Sequence, residues 1–479
     1  MASRLTGTCA VLAALLLLIS PAAADPAPER LGHAGRWITD DRGRVMILHG
    51  FNVVAKSPPY TAESIGFGAD DAAFLAGEGF NTVRLGVSYA GVEPTPGLYD
   101  EQYLGEVLST VRMLGEHGIY ALLDFHQDMY NERFGGHGFP DWAVYDDGLA
   151  HEPDFGHPAN YFVMPGLQRA FQSFWFNRAG PGEVGLQDRF AAAWRRVAEH
   201  VGAEPNLVGY DLLNEPWPPG TRWTACLGRA CEFDSGLLTD FVRRVTVAIR
   251  AVDPHTLVWY EPNQLFNIGA PTSHGGAGDP HAGFSYHHYC SASTCDRRVS
   301  ANAAAQSDKT GDALLMSEFG ATDDPQALRR VAHEADRTMT SWQNWTYYNA
   351  QSRGRPVIPR TKSIVIDPLL PPTPDNVSQS KLNALARPYP RLIAGTPESF
   401  GFDYGTDTFE LSYSTTAPGP KRLPRGMKTE VFVPSRQYPH GYEVHADGAK
   451  VVGSSDPAIV RLLAQAGAER VTVRIVPAG

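Results

Sequence analysis

Two glutamates stand where a sugar-cleaving reaction would need them. Glu215 lies in Asn214-Glu215-Pro216 and Glu318 in Ser317-Glu318-Phe319-Gly320, each at the end of an apolar, strand-like run. Breaking a glycosidic bond with retention takes one carboxylic acid to protonate the leaving oxygen and one carboxylate to attack the anomeric carbon. At the ends of the fourth and seventh strand-like runs the two would face each other across a barrel mouth, and Glu215 is read as acid/base and Glu318 as nucleophile. Arg84 and Tyr289 are expected to hold Glu318 ionised, because hydrogen bonds to a carboxylate favour its charged form. Glu215 is expected to be protonated at rest, raised by burial and by the neighbouring carboxylate. Asn214 is expected to bond the sugar 2-hydroxyl, His287 to sit beside Glu215, and Trp345 to offer a face to the sugar ring. Glu261, in Trp259-Tyr260-Glu261-Pro262, is a third carboxylate, expected behind the reacting pair.

Such residues must be brought to one place by elements far apart in sequence. Short β-rich runs at 45–52, 82–85, 120–126, 207–214, 256–261, 284–289, 313–318 and 341–347 alternate with amphipathic stretches such as 101–117 and 187–200. Several runs are apolar on both faces, as in a parallel sheet covered by helices. The alternation predicts a (β/α)8 barrel, an α/β TIM barrel with its polar residues gathered at the C-terminal strand ends. After Leu385 short alternating segments separated by Gly, Pro and Asp predict a small antiparallel β-sandwich. The expected domains are the barrel over 25–387 and the sandwich over 388–479, preceded by a leader over 1–24.

That leader has Arg4, an apolar run over 11–19, then Ser20-Pro21 and Ala22-Ala23-Ala24. It is the pattern of a secretory signal cut after Ala24, and the run is too short to anchor in a bilayer. The expected location is therefore secreted. Cys226/Cys231 and Cys290/Cys295 form two pairs of equal spacing. Two local disulfides suit an oxidising compartment, and a zinc site is the rival reading.

The chain of 479 residues carries 52 acidic and 41 basic side chains, a formal net charge of −11. That balance argues against nucleic acid as a partner, since phosphate binding needs a clustered basic footprint. A hydrolase metal on a barrel usually asks for a His-x-His pair on the first strand, where only His49 occurs. No Gly-x-Ser-x-Gly elbow, Walker loop or dinucleotide fingerprint is present. No metal or organic cofactor is expected, and the protein is expected to be a monomer.

The order Arg84, His126, Asn214-Glu215, His287-x-Tyr289, Glu318 and Trp345 resembles family 5 glycoside hydrolases, retaining enzymes with acid/base and nucleophile after strands four and seven. A narrower likeness lies in His126-Gln127-Asp128-Met129-Tyr130, in Glu132-Arg133-Phe134-Gly135-Gly136, in Pro140-Asp141-Trp142-Ala143, and in Lys56 with Asn214-Glu215-Pro216-Trp217. Together with the sandwich, these are similar to endoglycoceramidases, which cut between oligosaccharide and ceramide. The resemblance implies that Lys56, His126 and Asp128 contact the glucose next to ceramide. It extends to enzymes acting on glucosylceramide, steryl glucosides or galactosyl-linked glycolipids. The expected partner is thus a glycosphingolipid in membranes or micelles, with peripheral membrane contact. The alternatives are a β-1,4-glucanase or related hydrolase on the same barrel, and a glycolipid carrier without turnover.

Two surface features bear on lipid. Residues 134–177 form a long connection rich in aromatics, among them Trp142, Phe155, Tyr161-Phe162, Phe171 and Phe174-Trp175-Phe176. They could line a channel for the ceramide tails or pack a satellite core. Lys421, Arg422, Arg425 and Lys428 read as a solvated loop, with contact to anionic headgroups as the other reading.

Overall fold

The computed structural model describes residues 30–227, 231–348, 362–420 and 422–479. The leader motif and Lys421 lie outside the described residues. Eight parallel strands close a barrel: β1 His49–Val53, β2 Thr82–Val87, β3 Tyr120–Phe125, β4 Leu207–Asp211, β5 Val258–Tyr260, β6 Ala282–His288, β7 Ala313–Gly320 and β8 Ser341–Trp345. Each of the eight sequence-predicted runs overlaps one of these strands. Several predicted ends run past the observed ones, because residues such as 212–215 leave the ladder to form the rim.

Helices cover the barrel for the reason their patterning suggests. Glu101–Glu116 starts at Asp100, whose carboxylate accepts from the Tyr103 backbone N–H at 3.0 Å. It buries Tyr103, Leu104, Val107, Val111 and Leu114, spaced three and four residues apart. Leu186–Val201 does the same with Phe190, Trp194, Val197 and Val201. Among the described residues, no helix is long and apolar enough to cross a membrane.

The C-terminal region forms two antiparallel sheets. One has four strands, Thr396–Asp403, Thr408–Ser414, Arg470–Pro477 and Tyr442–Asp447. The other has seven and takes in Gly32–Ala34, Trp37–Thr39 and Val45–Met46, which the sequence reading placed in the barrel domain. The link is the register Met46↔Leu392 and Val45↔Ile393. Val45, Ile47, Tyr389, Phe400, Phe409 and Val471 share that core. The chain enters the barrel from the sandwich sheet, so the two parts are joined at both ends of the barrel sequence.

Candidate active site

β7 carries an irregularity that aims the second glutamate. Met316 pairs with Tyr286 and Glu318 with His287, so Ser317 is an extra residue, a β-bulge of the kind that redirects side chains beside functional sites. The bulged Ser317 carbonyl is satisfied by Asn52 Nδ2 at 2.9 Å. Glu215 sits just beyond β4 with φ of 45°, a left-handed conformation that costs energy for a non-glycine residue. Its backbone N–H donates to Glu261 Oε2 at 2.9 Å, which holds the turn.

The two carboxylates confront each other. A carboxylate oxygen of Glu215, one of Glu318 and a ring nitrogen of His287 all lie within 4.8 Å of one another. Retaining glycosidases hold the pair about 5–5.5 Å apart, inverting ones about 6.5–9.5 Å. The separation falls on the retaining side. Both residues are nearly buried but reach a cavity of about 510 Å³ at the C-terminal end of the barrel.

Arg84 on β2 organises the floor. Its Nη1 donates to Glu318 Oε1 at 2.7 Å, its Nη2 to Glu261 Oε1 at 2.8 Å and to Asn214 Oδ1 at 3.1 Å, and its Nε to Asp211 Oδ2 at 2.9 Å. Asp124 Oδ1 adds an ion pair at 3.0 Å. Burial works against the Arg84 charge, but Asp124, Asp211, Glu261 and Glu318 hold it firmly protonated. Tyr289 donates its phenol to Glu318 Oε2 at 2.7 Å. The nucleophile position therefore has a cation on one oxygen and a hydroxyl on the other.

Glu215 is held by three donors. His287 Nδ1 lies 2.8 Å from Oε1, Asn267 Nδ2 donates to the same oxygen at 2.7 Å, and Gln264 Nε2 donates to Oε2. This corrects the expected protonation pattern. Burial does raise the Glu215 carboxyl, but His287 outweighs it and sets the group below its ordinary value. Burial and the Glu215 charge raise Glu318 above its ordinary value, against the pull of His287 and Arg84. His287 is lifted well above an ordinary imidazole: burial opposes its charge, but Glu261, Glu318 and Glu215 surround it. These directions favour the proton on His287 over Glu215.

The remaining sequence candidates form the opposite wall. Lys56 Nζ pairs with Asp128 and lies 4.6 Å over the Trp345 ring. His126 stacks on Trp345 at 5.3 Å and is tied through Nδ1 to Asp124 at 2.6 Å. Burial lowers His126, but Asp124 and Asp128 raise it to about 9. Asp128 is driven well below an ordinary carboxyl: burial opposes this, but Lys56, His126 and His137 favour its charge. Donor atoms of His126, Asp128 and His137 lie within 4.8 Å of one another, but Lys56 already supplies the counter-charge, so the cluster is compensated without a metal. Glycine makes this wall possible: a Cβ on Gly136 would stand 1.8 Å from the Asp128 carbonyl oxygen, blocking the bridge that sets His137 beside Asp128.

Asn214 is occupied on both sides, by Arg84 on its oxygen and by the Gln127 carbonyl, which accepts from Nδ2 at 2.9 Å. It still lines the cavity. Of the aromatic residues named in the 134–177 connection, only Phe162 reaches the cavity wall, beside Met129, Trp217, Leu265 and Ile268. Phe171, Phe174 and Trp175 are buried against Tyr130, Phe139, Phe233 and Phe241, so that connection is mainly a satellite core. Both disulfides, Cys226–Cys231 and Cys290–Cys295, are formed, with Cα separations of 4.3 and 5.6 Å.

Sequence reasoning missed Asp124, Asp211, His137, Gln264 and Asn267. Asp124 and Asp211 were legible as lone charges inside apolar strands. Gln264 and Asn267 were legible only as polar residues a few positions past a strand end.

A closed barrel with paired glutamates just after β4 and near the end of β7 defines a retaining-type glycoside hydrolase architecture. The profile of the cellulase (glycosyl hydrolase family 5) group matches residues 46–351, and that of the family 5 C-terminal domain matches 387–476. The chain belongs to glycoside hydrolase family 5. It is 31% identical over 464 residues to endoglycoceramidase I of Rhodococcus hoagii (strain 103S), covering 92% of this chain and 87% of that protein. It is 27% identical over 437 residues to an endoglycoceramidase of Hydra vulgaris, covering 85% and 80%. Among solved structures it is similar to endo-glycoceramidase II from Rhodococcus sp., captured as a lactosyl-enzyme intermediate (TM-score 0.75, 29% identity, 94% of this chain and 100% of that one). The same enzyme complexed with ganglioside GM3 matches with a TM-score of 0.75 and 28% identity over 92% and 99% of the two chains.

Proposed function

We propose that this glycosidase hydrolyses the β-linkage between oligosaccharide and ceramide in glycosphingolipids by double displacement. The observation that carries the reading is a single cavity lined both by the Glu215/Glu318 pair with Lys56, His126 and Asp128, and by the apolar side chains of Phe162, Trp217, Leu265 and Ile268. A substrate that is sugar at one end and hydrocarbon at the other fits that lining. The near full-length likeness to endoglycoceramidases supports it.

In the first step a Glu318 oxygen bonds to the anomeric carbon as the bond from that carbon to the ceramide oxygen breaks. The departing oxygen takes a proton from Glu215, which Glu215 receives from His287 across their 2.8 Å contact. Arg84 and Tyr289 orient Glu318. In the second step Glu215, now a carboxylate, takes a proton from water as the water oxygen attacks the anomeric carbon and Glu318 departs, and the proton returns to His287. Asn214 bonds the sugar 2-hydroxyl, Trp345 backs the ring, and Lys56, His126 and Asp128 hold the sugar beside ceramide. The leader motif fits an exported monomer meeting its substrate at the surface of membranes or micelles.

Incubation with a ganglioside in detergent tests the reading. Release of intact oligosaccharide and free ceramide on thin-layer plates is expected. Monosaccharides alone, faster depolymerisation of soluble cellulose, or tight glycolipid binding with no turnover would each overturn it.

A further inference from the structure

The short helix Gln264–Ile268 after β5 touches the site at four points. Gln264 takes the Pro216 carbonyl with its backbone N–H at 3.1 Å, and Asn267 accepts the Tyr289 backbone N–H at 2.9 Å. The helix thus spans the chain just after Glu215 and the residue that steadies Glu318. From it, the two side-chain amides described above reach both oxygens of Glu215. Asn267 is buried, and Gln264 lines the cavity. The Gln264 amide oxygen is buried without a hydrogen-bond partner, so the carboxylate alone fixes that amide.

We propose that Gln264 and Asn267 are positioning residues that tune Glu215 between its two roles, holding it as the carboxylate that water activation needs and limiting the pH range over which it carries a proton. The inference rests on Glu215 being the acid/base. An amide N–H group bonds a carboxylate more strongly than a protonated carboxyl, so each lowers the proton affinity of Glu215. The titratable and charged groups facing Glu215 are His287 and Tyr289 on and after β6, Glu318 on β7, Glu261 after β5, and Asp128 and His157 from the connection after β3, with Arg84 and Lys56 behind them. None of these is altered by removing an amide. Glu215 is buried, and in such surroundings a hydrogen bond to its charged form weighs more than it would in water.

The test compares kcat/KM against pH for wild type, Gln264→Met and Asn267→Leu. Two lactosides are used, one with a poor alkyl leaving group and one with a dinitrophenyl group that departs without a proton. Each variant should move the alkaline limb for the alkyl lactoside upward, by at most about one pH unit, the scale of one charge-assisted hydrogen bond, because the limb belongs to Glu215 and His287 together. The limb for the dinitrophenyl lactoside should stay in place. Gln264→Glu, which retains size and adds a like charge, should move the alkyl limb further in the same direction and serves where the other variants fold poorly. An unmoved alkyl limb, or equal shifts for both substrates, would overturn the proposal. Glu215→Ala is the separate control: if it slows both substrates equally in the glycosylation step, the acid/base assignment itself is wrong.

Discussion

Nδ1 of His287 stands 2.8 Å from Oε1 of Glu215, while Nε2 of the same ring stands 3.2 Å from Oε1 of Glu261. One imidazole thus bridges the acid/base and a carboxylate that is itself held by Arg84. An imidazole among carboxylates keeps its proton, and the dry surroundings strengthen each interaction. The acid of the first step is therefore a two-residue unit, and its pKa values belong to the unit.

Removing Glu215 should separate the two steps. Glu215→Ala should slow cleavage of an unactivated lactoside by about 10²–10⁴-fold. Azide should restore turnover of an activated lactoside and give the β-glycosyl azide, read by NMR. An α-azide would exclude retention.

Arg84 should be worth more as a charge than as packing. Arg84→Met leaves Asp124, Asp211, Glu261 and Glu318 without their shared cation, and breaking such buried pairs costs about 3–5 kcal/mol. The stranded carboxyls take up protons more readily, so the gap to wild type should narrow as pH falls. Urea midpoints at pH 7 and 5 would show it; an equal gap at both would contradict the electrostatic account.

His126 should make stability pH-dependent on the alkaline side. Its folded value of about 9 lies above the unfolded value of about 6.5, so the stabilisation is complete below pH 6.5 and lost as pH rises through 9. The difference amounts to about 3 kcal/mol. Between pH 6 and 9.5, urea unfolding of wild type should weaken by that much more than unfolding of His126→Gln. Parallel curves would contradict the shift.

The apolar wall should matter only for lipid substrates. Phe162→Asp should reduce turnover of a ganglioside in micelles by about tenfold while leaving a soluble aryl lactoside within twofold, the scale expected for losing one aromatic ring's contact with hydrocarbon. Equal losses would show that Phe162 supports the barrel and not the lipid.

Much of this was legible in the residues. The apolar runs ending in Arg84, His126, Asn214-Glu215, His287, Glu318 and Trp345 marked both the strands and the end at which they converge. Three features were not. The pairing of Met46 with Leu392 joins segments hundreds of residues apart, and no local pattern encodes it. The bulge at Ser317 depends on register between neighbouring strands. The proton's place on His287 depends on distances: burial and a nearby carboxylate argued for a protonated Glu215, and three donors within bonding range reverse that.

The most direct test is labelling with a 2-deoxy-2-fluoro-β-lactosyl fluoride, which slows the second step and traps the glycosyl-enzyme. Peptide mass mapping should place one lactosyl group on the peptide that carries Glu318, at Glu318 itself. A label on Glu215 or Glu261, or inactivation without any covalent adduct, would contradict the account.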